Sequence, residues 1–379
     1  MTEALSLRGA RVLLPDGLYR ADIGIENGKI AAQPNGTSLD LSGFLLLPGI
    51  VDPHGDGFER HLAPRRGAVA DLAAGLVSVE QELLANGITT AMLAQFWSWE
   101  GGMRGPEFAQ ALARALRDYR SSADLRLLLR VERGCFRDFA AIKEMIADWD
   151  IRYVVISDHV PHAALAAGRR VPRLEGQALK AGRSPAAHQA LLEQMHLETE
   201  EAQAALRGFL DDLRVRGLRL GSHDDATAEM RADHRDMGLK IAEFPMTPQA
   251  AEAAQDAQDP IVLGAPNVVR GGSHQNGGMA AAGVILDGGC TALASDYHYP
   301  ACRGAVRHLV AQGIALAEAW GYVSCGPADV LGMSDRGAIR PGLRADLVVT
   351  SHDLSRVHGT FCAGRLAYAD VTMTERMLK

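Results

Sequence analysis

The chain has 379 residues, 47% of them hydrophobic and 22% charged, and a formal net charge of −7. That length exceeds one small core and suits one large barrel with a minor domain. The acidic balance argues against nucleic acid or an anionic membrane as partner, so an anionic small substrate would need a local basic patch. The five cysteines are an odd number without a CxxC, which argues against a disulfide framework or thiolate zinc site. The start, MTEALSLRGARVLLPDG, lacks a signal pattern, and no apolar run is long enough to span a bilayer. A cytoplasmic location is expected.

In chain order, "ARVLLPDG", "ADIGIENGK" and "KIAAQPNG" pair β-like runs with turn residues. The tail repeats this in "GAIRPGLRADLVVTSHD" and "VHGTFCAGRLAYAD". A small β-sandwich domain built from both termini, residues 1–48 and 334–379, is therefore expected. Between them, 49–333 alternates. Eight apolar runs read as parallel strands: 49–56, 87–95, 125–132, 151–159, 218–225, 240–247, 260–267 and 291–296. Helical patterns separate most of them, and the α/β alternation predicts a (β/α)8 TIM-type barrel. Residues 161–190 carry Gly, Arg, Pro and Lys without clear period, and read as a long insertion and lid after the fourth strand.

Ligand-type residues recur where these strands end: His54/Asp56, Glu132, Asp158/His159, His223/Asp224/Asp225 and Asp296, with Glu243 near the end of a sixth. In a barrel these ends meet on one face, where the active site lies. His54 and Asp56, two apart on a strand, leave on one face. His159 and His223 offer nitrogen, and Glu132 offers two oxygens that could bridge two ions. Asp296 could bind an ion and also take a proton from bound water. A sulfur-free N/O set suits Zn²⁺, or Mn²⁺, as one or two ions, and points to hydrolysis by activated water.

"GAPNVVRGGSHQNGG" sets Arg270 before two glycines and His274, a pattern suited to gripping phosphate after a seventh strand. Its alternative is a solvated loop. Arg65 and Arg66 in "APRRG" could add charge at the same rim, or form a solvated basic turn. "SDYHYP" puts Tyr297, His298 and Tyr299 beside Asp296, as pocket lining or rim. His162, His188, His196, His234, His308, His352 and His358 read as structural or exposed.

"LPGIVDPHGD" and "GAIRPGLRADLVV" resemble the two signatures of the amidohydrolase superfamily. "GSHDDAT", "IAEFPMTPQAAEAA", "GAPNVVRGGSH", "ASDYHYPA" and "HGDGFERHLAPRRG" resemble the PhnM family of phosphonate metabolism, in order along almost the whole chain. The resemblance implies hydrolysis of alpha-D-ribose 1-methylphosphonate 5-triphosphate to the 5-phosphate and pyrophosphate, in the carbon–phosphorus lyase pathway. It implies metal ligands His54, Asp56, Glu132, His159 and His223, and Asp296 as both ligand and general base. Glu132 would be the bridging carboxylate, with Glu243 as substitute; Lys143 and Lys180 end no predicted strand and are poor candidates for a bridging carboxylated lysine. Arg65, Arg270 and His274 would hold the anionic phosphorylated sugar. The chain departs from the family pattern at His54-Gly55-Asp56-Gly57, at "SDYHYP" and at Pro64-Arg65-Arg66. Two other functions compete: an amidohydrolase cutting a C–N bond in a cyclic amide or a base, and a catalytically silent barrel scaffolding a pathway complex. Homo-oligomerisation is open.

Overall fold

The computed structural model describes residues 4–65, 71–272 and 281–378. Its centre is an eight-stranded parallel sheet whose strands neighbour one another in chain order. They are Ile50–Gly55, Ile88–Trp97, Asp124–Glu132, Tyr153–Ser157, Arg219–His223, Ile241–Glu243, Ile261–Gly264 and Ala292–Ala294. All eight expected runs are strands, and helices return the chain between them, as a (β/α)8 barrel requires. Several of these helices start on caps written in the sequence. Thr227 accepts from the Met230 backbone N–H, and Thr247, followed by Pro248, accepts from that of Ala250.

The barrel closes where the first and eighth strands meet. Gly55 bridges Asp296 in parallel. The Asp296 N–H donates to the His54 carbonyl at 3.0 Å, and the Asp56 N–H donates to the Asp296 carbonyl at 2.7 Å. Below this seam the fully buried Asp52 carboxylate accepts from the Ser295 backbone N–H at 2.9 Å and from the Ser295 hydroxyl at 2.5 Å.

Alternation along the strands sorts two layers. Val51, Met92, Ala94, Leu128, Tyr153, Val155, Ile241, Val262 and Ala292 form one buried cluster within the barrel. Residues such as Ile50, Leu93, Leu127, Leu129, Val154 and Leu263 pack instead against the helices. The first strand breaks strict alternation: its register against the second shifts between Asp52 and Gly55. The shift lets Val51 and His54, an odd number of residues apart, both face the interior. Irregularities of this kind re-aim side chains beside active sites.

The chain ends build two further sheets. Leu5–Arg8, Ile23–Glu26, Lys29–Ala31 and Thr37–Asp40 form one. Arg11–Leu14, Gly17–Arg20, Leu45–Pro48, Leu347–Thr350, Val357–Cys362 and Arg365–Ala369 form the other. Leu7, Ile25, Val12, Leu46, Leu347 and Phe361 share one buried cluster across the two.

The insertion departs from expectation. Residues 161–190 are not irregular: His162–Ala166 and Leu174–Lys180 are helical, and a longer helix runs Pro185–Leu197. They enclose a small core of Val160, Val171, Leu174, Leu192 and Met195 against Trp99. Helices of five and seven residues are too short to show a period in sequence; that local core holds them. Among the described residues no helix is long and apolar enough to cross a membrane.

Candidate active site

The strand ends converge on a cavity of about 260 Å³ lined by Asp56, Arg130, His159, His223 and Asp296, among others. His54, fully buried, lies behind this lining beside His223. Its Nδ1 lies 2.7 Å from Glu243 Oε2, and the other Glu243 oxygen accepts from Tyr153 Oη at 2.6 Å. On the other side of the ring, Nε2 lies 3.6 Å from Asp56 Oδ1. Burial opposes charge on His54, but the Glu243 carboxylate outweighs it and pushes the imidazole up to about 10. The His54 and His223 ring centroids are 5.3 Å apart, and Phe244 packs edgewise on both.

His54, His223 and Glu243 offer ligand atoms that all lie within 4.8 Å of one another. Two imidazoles and a carboxylate without sulfur fit a divalent ion such as zinc. Asp56 adds an acceptor: its Oδ1 is buried with no hydrogen-bond partner among the described residues. The residues present therefore fit one ion.

Arg130, on the third strand, also occupies this place. Its guanidinium donates to Asp56 Oδ2 at 3.1 Å, and lies 3.0 Å from His223 Nε2 and 3.4 Å from His54 Nε2. It stacks 3.9 Å from the Phe96 ring centroid and is 4% exposed. An ion shared by the two Nε2 atoms would have to displace it. Its charge, with that of His54, holds Asp56 well below the usual carboxylate range against burial. Burial, then Arg130, pushes His223 down. Arg130 was not anticipated from the sequence, although it shares a strand face with Glu132, two residues on.

Glu132 and His159 form a separate pair. Fully buried Glu132 accepts from the His159 backbone N–H at 3.0 Å and lies 2.5 Å from its Nδ1. Burial opposes charge on His159, but Glu132 raises it overall. The far side of His159 approaches Asp224 at 4.0 Å, and its ring centroid is 6.4 Å from that of His223. Of the two candidate bridging carboxylates, Glu243 therefore sits with His54 and His223, while Glu132 sits with His159. Asp224 is 3.2 Å from His223 Nδ1 and is held at about 2, its burial outweighed by His223.

Other strand-end carboxylates turn away. Asp158 pairs with Arg133 and His162. Asp225 is locked among Ser222, Arg231 and His234. Three non-glycine residues at the mouth, Asp224, Phe244 and Asp296, hold φ of 61°, 51° and 54°. Left-handed backbone of this kind concentrates at functional sites.

The expected phosphate-binding residues separate. Arg270 lines the cavity and reaches Tyr297 Oη at 3.3 Å. Arg65 is exposed and is not among the cavity's lining residues. His274 and Arg66 lie outside the described residues. Arg104, which sequence reasoning did not single out, lines the cavity with its guanidinium 4.3 Å from the Phe96 centroid.

No protein-family model matches the chain. It is 29% identical over 367 residues to the alpha-D-ribose 1-methylphosphonate 5-triphosphate diphosphatase of Escherichia coli, covering 93% of this chain and 96% of that one. An amidohydrolase of known structure superposes with a TM-score of 0.65 at 17% identity, over 97% of this chain and all of that one. An adenosine deaminase from Xanthomonas campestris, solved with bound zinc, gives 0.56 at 15% identity, over 99% and 96%. The likeness to the diphosphatase runs the length of both chains and supports a hydrolase, and the solved amidohydrolase shares this fold.

Proposed function

We propose that the chain hydrolyses a ribose 5-triphosphate carrying a 1-phosphonate, such as alpha-D-ribose 1-methylphosphonate 5-triphosphate, releasing pyrophosphate with the aid of a divalent ion. One observation carries this reading: three arginines, Arg104, Arg130 and Arg270, line the cavity beside the His54–His223–Glu243 cluster in a protein of net charge −7. Asp56, Asp224 and Asp296 line the same cavity and Arg130 is paired with Asp56, so it is Arg104 and Arg270 that suit the oxygens of a polyanion better than a neutral amide. The likeness to the Escherichia coli diphosphatase points the same way.

An ion held by His54, His223 and Glu243 would polarise a phosphoryl oxygen and make bound water acidic enough to attack near neutral pH. Glu243 keeps the His54 imidazole oriented. Asp296, on the strand beside His54, accepts the proton of the attacking water. Arg104 and Arg270 neutralise phosphate oxygens as charge develops on the departing pyrophosphate, which leaves with the electrons of the broken P–O bond.

The test is to incubate the purified chain with ribose 5-triphosphate derivatives and nucleoside triphosphates in Zn²⁺ or Mn²⁺, measuring pyrophosphate against orthophosphate. Pyrophosphate with the 5-monophosphate is the expected pair. Absence of phosphorus release, with ring opening or ammonia from neutral cyclic amides, would replace this reading with C–N hydrolysis.

A further inference from the structure

A second cavity, of about 610 Å³, lies beside the barrel mouth and shares Arg104 and His159 with the central one. One wall is Trp99, from the loop after the second strand. The other belongs to the insertion: Arg173, then Gln177 and Lys180 on the helix Leu174–Lys180. The two walls are seated against each other. A Cβ on Gly101 would lie 3.1 Å from Ala181 Cα, and one on Gly102 would lie 3.0 Å from the Lys180 carbonyl oxygen; both glycines have positive φ. Only glycine allows that approach, which sets where Lys180 stands.

Two polar atoms of this lining are buried without a partner among the described residues: Trp99 Nε1, a donor, and Gln177 Oε1. Trp99 as a whole is 6% exposed. Both atoms are closed off from the cavity, and Trp99 packs with its ring centroid 5.8 Å from that of His188, so these two side chains shape the wall and the cations face the space. Arg173 holds φ 58°, a left-handed conformation rare outside glycine, at the point where its side chain joins the cavity wall. Arg104, Arg173 and Lys180 set three cations around the space against one carboxylate, Glu100, which Arg104 already engages at 3.0 and 3.1 Å.

We infer that this cavity is the subsite for the pyrophosphoryl end of the substrate, with Arg173 and Lys180 donating to its oxygens. The inference rests on the triphosphate reading above. His159, common to both cavities and 6.4 Å by ring centroid from His223, marks the passage from the reacting phosphorus to the distal phosphates. The insertion thus selects the leaving group, while the barrel carries out the cleavage.

The test uses the metal-loaded full chain and inorganic pyrophosphate as calorimetric probe. Arg173→Gln/Lys180→Gln should weaken pyrophosphate binding at least tenfold, raise KM for the triphosphate by a similar factor, and leave bound metal and orthophosphate binding unchanged. An Arg173→Gln/Lys180→Gln chain that binds pyrophosphate like the parent would overturn the inference, as would a parent that binds none. Pyrophosphate release by the parent with unaltered binding in the variant would remove the subsite and keep the proposed function. Weakened binding in a chain that turns over no triphosphate would do the reverse.

Discussion

Replacing Arg130 with methionine tests the centre of the site most directly. The guanidinium is 4% exposed and is the buried countercharge of Asp56, whose side chain is 17% exposed. Methionine keeps most of the stem's volume but removes the charge. The Asp56 carboxylate would then lose its cation at 3.1 Å and keep only His54 Nε2, 3.6 Å from its other oxygen. Removing one member of a buried ion pair costs about 3–5 kcal/mol. Unfolding entropy near 2.1 cal/mol/K per residue, over 379 residues, gives about 0.8 kcal/mol/K, so the melting temperature should fall by about 4–6 °C. The assay is calorimetric melting in chelator, with and without added Zn²⁺. Zinc should restore more stability to Arg130→Met than to the parent, because an ion can take the vacated place among His54, Asp56 and His223. A variant that melts in chelator at the parent's temperature would refute the view that this arginine holds the carboxylate.

Further outcomes follow from the same contacts. Asp296→Asn should lower turnover by roughly 10²–10⁴-fold with an unchanged circular dichroism spectrum, as expected of a lost general base; near-normal rates would remove Asp296 from the mechanism. Arg270→Ala should raise KM for a triphosphate by roughly tenfold, the worth of one lost charge-assisted hydrogen bond, and leave a neutral ester unaffected. Chelation should abolish turnover, and Zn²⁺ or Mn²⁺ should restore it. Away from the site, Asp124 accepts from Arg336 at 2.7 Å and from Arg126 at 2.9 Å. Burial raises its pKa, but the two arginines outweigh this and hold it below its ordinary 3.8. A lowered carboxylate pKa contributes stability that is complete above 3.8 and is lost as pH falls through the folded value. Asp124→Asn should therefore lower the urea midpoint at neutral pH and flatten the acid limb of its pH profile; parallel profiles would count against the coupling.

The barrel was legible because each strand carries an apolar run of the right length between helical periods, and closure then demands eight of them. Ligand-type residues at strand ends were legible for the same reason: position on a strand predicts position at the mouth. Which partner each one meets was not. Glu132 turns to His159 and Glu243 to His54, an outcome set by register between neighbouring strands and by the irregularity between Asp52 and Gly55. Neither is visible in a linear spacing. Arg130 was readable in principle, since Leu128, Arg130 and Glu132 share one strand face. An arginine in "LRLLLRVE" more often lies along a surface with its head in water, as Arg126 does, and the surrounding imidazoles, Asp56 and Phe96 make Arg130 an interior cation. Arg104 and Trp99 come from a loop whose path depends on the insertion packed against it, so no local pattern announces them.

The closing seam has a consequence for biogenesis. Asp52 and Ser295 are 243 positions apart in the chain, and His54 and Asp296 are adjacent to that contact. A ribosome must therefore deliver nearly the entire barrel before the first and last strands can zip together. Partially synthesised chains hold the imidazole and the carboxylate far apart, so the two meet only once the ring is shut.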